Sequence, residues 1–258
     1  MLGWLMLGWL MLGDGFRWSG SVGTMSPDDM LQTVRAGTAF FENQLDAVSN
    51  EQLSGESLLP TWTRSHVAAH VGYNALAIAR LVSWAETGIE TPMYDSRQAR
   101  ETEIDTAAGW APDTLRTLCS HSGMLLDSAW SHLPDDSWAW QVQTGQGRLV
   151  PASETIWMRT REVWLHAVDL NATATYGDIP AEVLDRVLRD VVGLWATRGE
   201  MAGLRLESVE GHIYGDRDAP DPHIVTGELP VLTQWACGRA GAATTSNRTE
   251  SPTAPRWL

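Results

Sequence analysis

Two residues in the segment RTREVWLHAVDL, Glu162 and His166, carry the strongest chemical signal in the chain. Four positions apart, they project from one face of a helix. Trp157, Val163, Trp164, Ala167 and Val168 cover its other sides, so the segment reads as a helix buried all round. An ionised carboxylate there is costly unless it is paired or bound to a cation. Two readings stay open on this segment: a Glu–His hydrogen bond in the core, or a pair of metal ligands. A third donor comes from WTRSHVAAH, where His66 and His70 are again four apart. His70 lies nearer the apolar stripe of its helix, and His66 falls at the rim of the first turn. A set of His70, Glu162 and His166 would leave one corner of a tetrahedral ion open, the pattern of a catalytic site. Zinc suits these donors best, with nickel, cobalt and iron as alternatives. Asp169, one turn on, either orients a ligand histidine or caps the helix or pairs with an arginine.

Other reactive side chains give weaker signals. There is no His-Glu-x-x-His pattern and too few inward carboxylates for a di-iron bundle. His121, His132, His212 and His223 read as surface or satisfied residues. Cys119 falls on an apolar stripe and reads as packing. Cys237 stands two residues from Arg239, a setting that favours a thiolate, but a nucleophilic role is the weaker reading. Trp62 and Asn74 are further candidates for lining a pocket.

The elements that position these residues follow from periodicity. Ser26 with Asp28 and Asp29 starts a helix carrying Met30, Val34, Phe41, Leu45 and Val48. Leu59-Pro60 breaks the chain, and Thr61 or Thr63 caps a second helix that runs to about Glu86. Pro92 closes the loop after it. A third pattern spans 112–133, an extended stretch with a Gly-x-Gly turn spans 138–150, and a further helix starts at Ser153–Glu154 and ends near 171–175. Four long helices with one extended crossover predict a four-helix bundle. After Gly177 the pattern changes to a helix at 181–197, short strands at 204–209, 212–214 and 223–226, and an apolar helix at 229–237. The expected fold class is α+β. The expected divisions are an extension outside the fold (1–24), a bundle (25–178) and a small C-terminal α/β domain (179–258). The tail at 241–255 reads as mobile or draped, with Trp257 docking.

Composition limits the function. The 258 residues carry a formal net charge of −14, which disfavours nucleic acid and anionic membrane surfaces as partners. All 18 basic residues are arginine, so Schiff-base chemistry and a P-loop lysine are excluded. Two cysteines cannot build a disulfide framework, and a reducing cytoplasm is the expected location. The apolar tandem repeat MLGWLMLGWLMLG at the start is too short to span a bilayer and lacks the cationic start of a secretory signal. No long heptad or large unassigned apolar face remains, so a monomer is expected.

The segments LPTWTRSHVAAHVGYNALA, VPASETIWMRTREVWLHAVDL and the terminal PRWL closely resemble the mycothiol-dependent maleylpyruvate isomerase family, from about Met25 to Leu258. The resemblance implies a DinB-like four-helix bundle followed by a small α/β domain. It implies a divalent metal, usually zinc, on a histidine of the second helix and a Glu-x-x-x-His pair, which match His70, Glu162 and His166. It also implies a catalytic arginine near the C-terminus, and WACGRAG places Arg239 there. The implied reaction is cis–trans isomerisation of maleylpyruvate to fumarylpyruvate, in gentisate-type aromatic degradation, with mycothiol as the thiol cofactor. A mycothiol S-transferase or a non-catalytic metal-binding regulator on the same scaffold are the alternatives.

Overall fold

The computed structural model describes residues 27–239, 244–248 and 252–257. The expectation of an extension at 1–24 lies outside the described residues. Contacts divide the chain into two compact units, one holding the described residues 27–174 and the other those from 175 onward.

The first unit is a four-helix bundle. Its helices are α1 (Pro27–Ala47), α2 (Arg64–Thr87), α4 (Pro112–His132) and α5 (Glu154–Asp169), with α3 (Arg97–Ala108) lying against α2. α2 packs on α4 and α5, and α1 packs on α5 and α4. The predicted stripes form the core: Val34, Phe41 and Leu45 of α1 and Val67, Val71, Ile78 and Leu81 of α2 are buried. Leu115, Cys119 and Leu126 of α4 and Ile156, Val163 and Ala167 of α5 are buried with them. Glycines let the helices approach closely. A Cβ on Gly37 would meet Trp164 Nε1 at 2.6 Å, and one on Gly72 would meet Leu118 Cγ at 2.6 Å.

Local chemistry sets the ends of α2. Thr63 is its N-cap, and His66 completes a capping box with it, so the imidazole of His66 is engaged at the helix start. Gly88, at φ +72°, ends the helix in the left-handed region open to glycine. The crossover between α4 and α5 is a hairpin of β1 (Gln141–Gln143) and β2 (Leu149–Pro151), turning through Gly147 at φ +83°.

α3 lies in a stretch, 93–111, to which periodicity assigns no element. Its segment RQARETEIDTAA is polar and buries Ile104 and Ala107, so no apolar stripe announces it. Ser96 caps it by accepting from the Ala99 amide.

The second unit holds α6 (Ala181–Thr197), α7 (Leu229–Ala236) and a four-stranded sheet in the order β4-β3-β5-β6. β3 (Leu204–Ser208) runs parallel to β5 (His223–Gly227) and antiparallel to β4 (Ile213–Gly215). β6 (Thr245–Ser246) pairs with β5, so part of the tail is sheet edge. Leu184, Val187, Leu188 and Trp195 of α6 are buried, and Trp195 meets Trp235 of α7 edge to face. The tail is draped over this unit: Pro252 O accepts from Trp235 Nε1, and Trp257 is buried. The architecture is mixed α+β, as expected. Among the described residues, no helix is long and apolar enough to cross a membrane.

Candidate metal centre

α2 and α5 bring His70, Glu162 and His166 together. Each offers one donor atom, and all three lie within 4.8 Å of one another. Oε2 of Glu162 is 2.8 Å from His70 Nε2 and 3.2 Å from His166 Nε2. Donors on tetrahedral corners about 2.0–2.1 Å from an ion lie roughly 3.3 Å apart, so the spacing is close to that of a coordination shell. The side chains are 7%, 17% and 11% exposed, which leaves the cluster a narrow opening to solvent. Among the described residues, no second group of three such donors occurs.

Glu162 is the anionic centre. Burial opposes its charge, but hydrogen bonds from His166 and His70 outweigh burial and hold the carboxyl well below the usual range. Its other oxygen, Oε1, lies 3.4 Å from Arg161 Nη2. Burial pushes His70 down to about 4, so its ring is neutral. Burial also opposes charge on His166, yet its hydrogen bonds to Asp169 and Glu162 raise it above the ordinary value.

Asp169 decides the orientation of His166. Its Oδ2 lies 2.9 Å from His166 Nδ1, and its side chain is fully buried. Nδ1–H donates to the carboxylate, so Nε2 points at Glu162 and the shared donor site. Among the alternatives the sequence leaves open for Asp169, the geometry displays the orienting contact. It overrides a local rule, because a carboxylate at a helix C-terminus opposes the helix dipole.

The groups around the cluster divide by role. Trp62 packs over it, with ring centroids 5.5 Å from His70 and 6.3 Å from His66. Asn74 is buried and accepts from Arg159 Nη1 at 3.0 Å, while Arg159 also donates to the Val71 carbonyl. Cys119 donates to the Ala68 carbonyl, and burial pushes its thiol up to about 12. His132 bonds the Ser128 carbonyl, and His223 lies 2.7 Å from Ser246 Oγ. Arg239 follows α7 in the second unit, where Gly238 at φ +70° turns the chain and Arg239 Nη1 donates to the Cys237 carbonyl. Cys237 is buried.

Two arginines at the cluster are not announced by the sequence. Arg161 neighbours Glu162 in the chain, a spacing that does not normally face two helical side chains together. Arg100 comes from α3, and its Nη2 lies 3.0 Å from His70 Nδ1. The Ser96 cap is the available signal for its helix.

Two imidazoles and a carboxylate, one imidazole already backed by a buried acid, fit a divalent ion of the zinc type. Three protein donors leave a corner for an exogenous ligand, which is what a site that activates a bound small molecule requires.

Comparison with known proteins bears on what that molecule is. The mycothiol maleylpyruvate isomerase N-terminal domain family matches residues 34–171, which include all three donors and Asp169. A crystal structure of a mycothiol-dependent maleylpyruvate isomerase superposes with a TM-score of 0.87 at 44% sequence identity. The match covers 90% of this chain and 98% of that one. A histidine-to-alanine mutant of a mycothiol-dependent maleylpyruvate isomerase matches with the same TM-score at 43% identity, over the same shares of the two chains. No curated protein sequence matches. The chain belongs to the mycothiol-dependent maleylpyruvate isomerase family.

Proposed function

We propose that this protein isomerises maleylpyruvate to fumarylpyruvate in gentisate-type aromatic degradation, using mycothiol and a zinc ion held by His70, Glu162 and His166. The observation that carries the reading is the three-donor cluster with Asp169 behind it, and the family membership supports it. When bound, the ion supplies a Lewis acid that keeps a ligand sulfur deprotonated near neutral pH. Mycothiol supplies that sulfur, whose reversible addition makes the substrate's cis double bond single and free to rotate before elimination restores it as trans. The reaction is redox-neutral and returns the thiol unchanged.

The protein's own side chains do the rest. His70 and His166 fix the donor geometry, and Asp169 holds the His166 ring in place. Arg161 balances charge on Glu162 Oε1. Arg239 takes a substrate carboxylate or the enolate formed on addition, because a planar guanidinium matches either by bidentate contact. Charge at the centre suits a dianion. Arg100 and Arg161 balance Glu162 and Asp169, so a divalent ion leaves the centre cationic within a chain of net charge −14. Both cysteines are buried and neither forms a disulfide, in keeping with a borrowed thiol and a reducing cytoplasm. We take the working species to be a monomer.

The test is an absorbance assay on maleylpyruvate with and without mycothiol, with product mass read in parallel. The expected result is mycothiol-dependent formation of a product of unchanged mass, lost together with bound metal in Glu162→Ala and His166→Ala. A heavier product would assign a conjugating transferase, and full metal occupancy in both variants would refute the ligand set. Arg239→Ala is expected to keep the metal and lose at least about tenfold in turnover, as the loss of a charged contact implies.

A further inference from the structure

Arg159 is a buried cation that the metal centre does not use. It stands on α5 and is 2% exposed, and arginine is seldom so buried without an ion pair. Burial pulls it down to about 10, which leaves it charged near neutral pH. Both of its hydrogen bonds leave from Nη1, to the Val71 carbonyl and to Asn74 Oδ1. Among the described residues its Nε and Nη2 take no partner, and neither nitrogen is sealed away from open space.

That open space is a cavity of about 210 Å³, lined by Arg159, by Val34 and Glu42 of α1 and by Leu126 and Trp130 of α4. The cavity sits between α1 and α4, whereas the metal donors come from α2 and α5. It is smaller than the roughly 300–1,000 Å³ of pockets for drug-sized ligands, so its occupant is small. Two further charges on its lining, Arg35 and Asp127, neutralise one another, with Arg35 Nε 2.6 Å from Asp127 Oδ1. Arg159 and Glu42 do not. Arg159 draws the half-buried Glu42 carboxyl down against the upward push of burial, so each lies in the other's field. Yet Glu42 forms no hydrogen bond or ion pair among the described residues. A lone anion here would suit Arg159 and be opposed by Glu42, and a lone cation would meet the reverse. A molecule carrying both charges satisfies both.

We propose that this cavity binds a small zwitterion of the amino acid class, its carboxylate on Nε and Nη2 of Arg159 and its ammonium on Glu42. Nε and Nη2 form one edge of the guanidinium fork, the edge that meets a carboxylate through two parallel N–H groups. Val34, Leu126 and Trp130 supply apolar wall for the carbons between the two charges. The site is independent of the isomerase reading, because no step of that reaction passes through Arg159 or Glu42.

The experiment is calorimetric titration of the full chain with glycine, β-alanine, γ-aminobutyrate and δ-aminovalerate, a ladder of charge separations. Butyrate and butylamine are the single-charge controls. One member of the ladder is expected to bind once per chain with a Kd of about 1 mM or tighter, at least about tenfold tighter than either control. Glu42→Gln removes a charge that has no partner in the fold. It is expected to weaken that member about tenfold and bring it level with butyrate. Arg159→Gln is expected to abolish binding of both, provided circular dichroism shows native helix content; if the core does not tolerate the change, Glu42→Gln decides alone. Failure of every ladder member to bind overturns the proposal. Butyrate binding as tightly as the best member overturns the zwitterion and assigns a simple anion. Unchanged affinity in Glu42→Gln places the ligand elsewhere, the metal centre included, and overturns the site.

Discussion

Replacing Asp169 with asparagine isolates what the buried carboxylate does for the proposed metal centre. Asparagine keeps the shape, and its oxygen can still accept from His166 Nδ1, so the substitution removes charge and leaves the contact. The hydrogen bond is 2.9 Å and fully buried on the aspartate side, where solvent does little to weaken it. A bond to a charged group contributes about 1.5–3 kcal/mol and a neutral one about 0.5–1.5 kcal/mol. The difference, about 1–2 kcal/mol, corresponds to roughly 5- to 30-fold weaker ion binding. Groups behind a metal ligand typically contribute about 10- to 100-fold in affinity, so the two ranges meet near 10- to 30-fold. The assay is zinc competition against a chelator of known affinity, with circular dichroism to show that the bundle is intact. The backbone bond from the Leu58 amide to the Asp169 carbonyl is untouched by the change, which favours a folded variant. Zinc binding within about twofold of wild type would refute the reasoning and reduce Asp169 to a helix-end residue.

Packing and burial set two further outcomes. Gly37→Val places carbon against the Trp164 ring, which is tied by its Nε1 to the Thr33 carbonyl, and is expected to cost about 1–3 kcal/mol, read as a Tm several degrees lower; an unchanged Tm would show that α1 and α5 separate easily. Cys119 and Cys237 are both buried, so iodoacetamide treatment of the native protein followed by its removal is expected to leave mycothiol-dependent turnover within about twofold. Rapid labelling of Cys237 with matching loss of activity would contradict a borrowed nucleophile.

The proposed metal ligands are legible in the sequence because their helices are otherwise so apolar. Glu162 stands out on α5 because Ile156, Val163 and Ala167 leave it nowhere to be solvated, and its i+4 partner is a histidine. Helical projection favours His70 over His66, and the structure supplies the reason for the difference: His66 is spent on the capping box with Thr63. The bounds of α2, α4, α5 and α6 match their stripes and end signals closely. α3 is not legible, since a helix that buries Ile104 and Ala107 among polar neighbours carries almost no periodic signal. Arg100 is hidden with it. Its meeting with His70, thirty residues away, depends on how α3 lies against α2, and neither segment records that packing on its own. The edge strand β6 escapes for a related reason, because Thr245 and Ser246 gain their strand conformation from pairing with β5.

All three donors, Asp169 and both nearby arginines lie between residues 70 and 169, within one compact unit. If the cluster holds the ion as proposed, the sulfur-activating half of the chemistry is self-contained. On that reading the chain beyond residue 175, Arg239 included, could be exchanged without dismantling the part that loads the thiol.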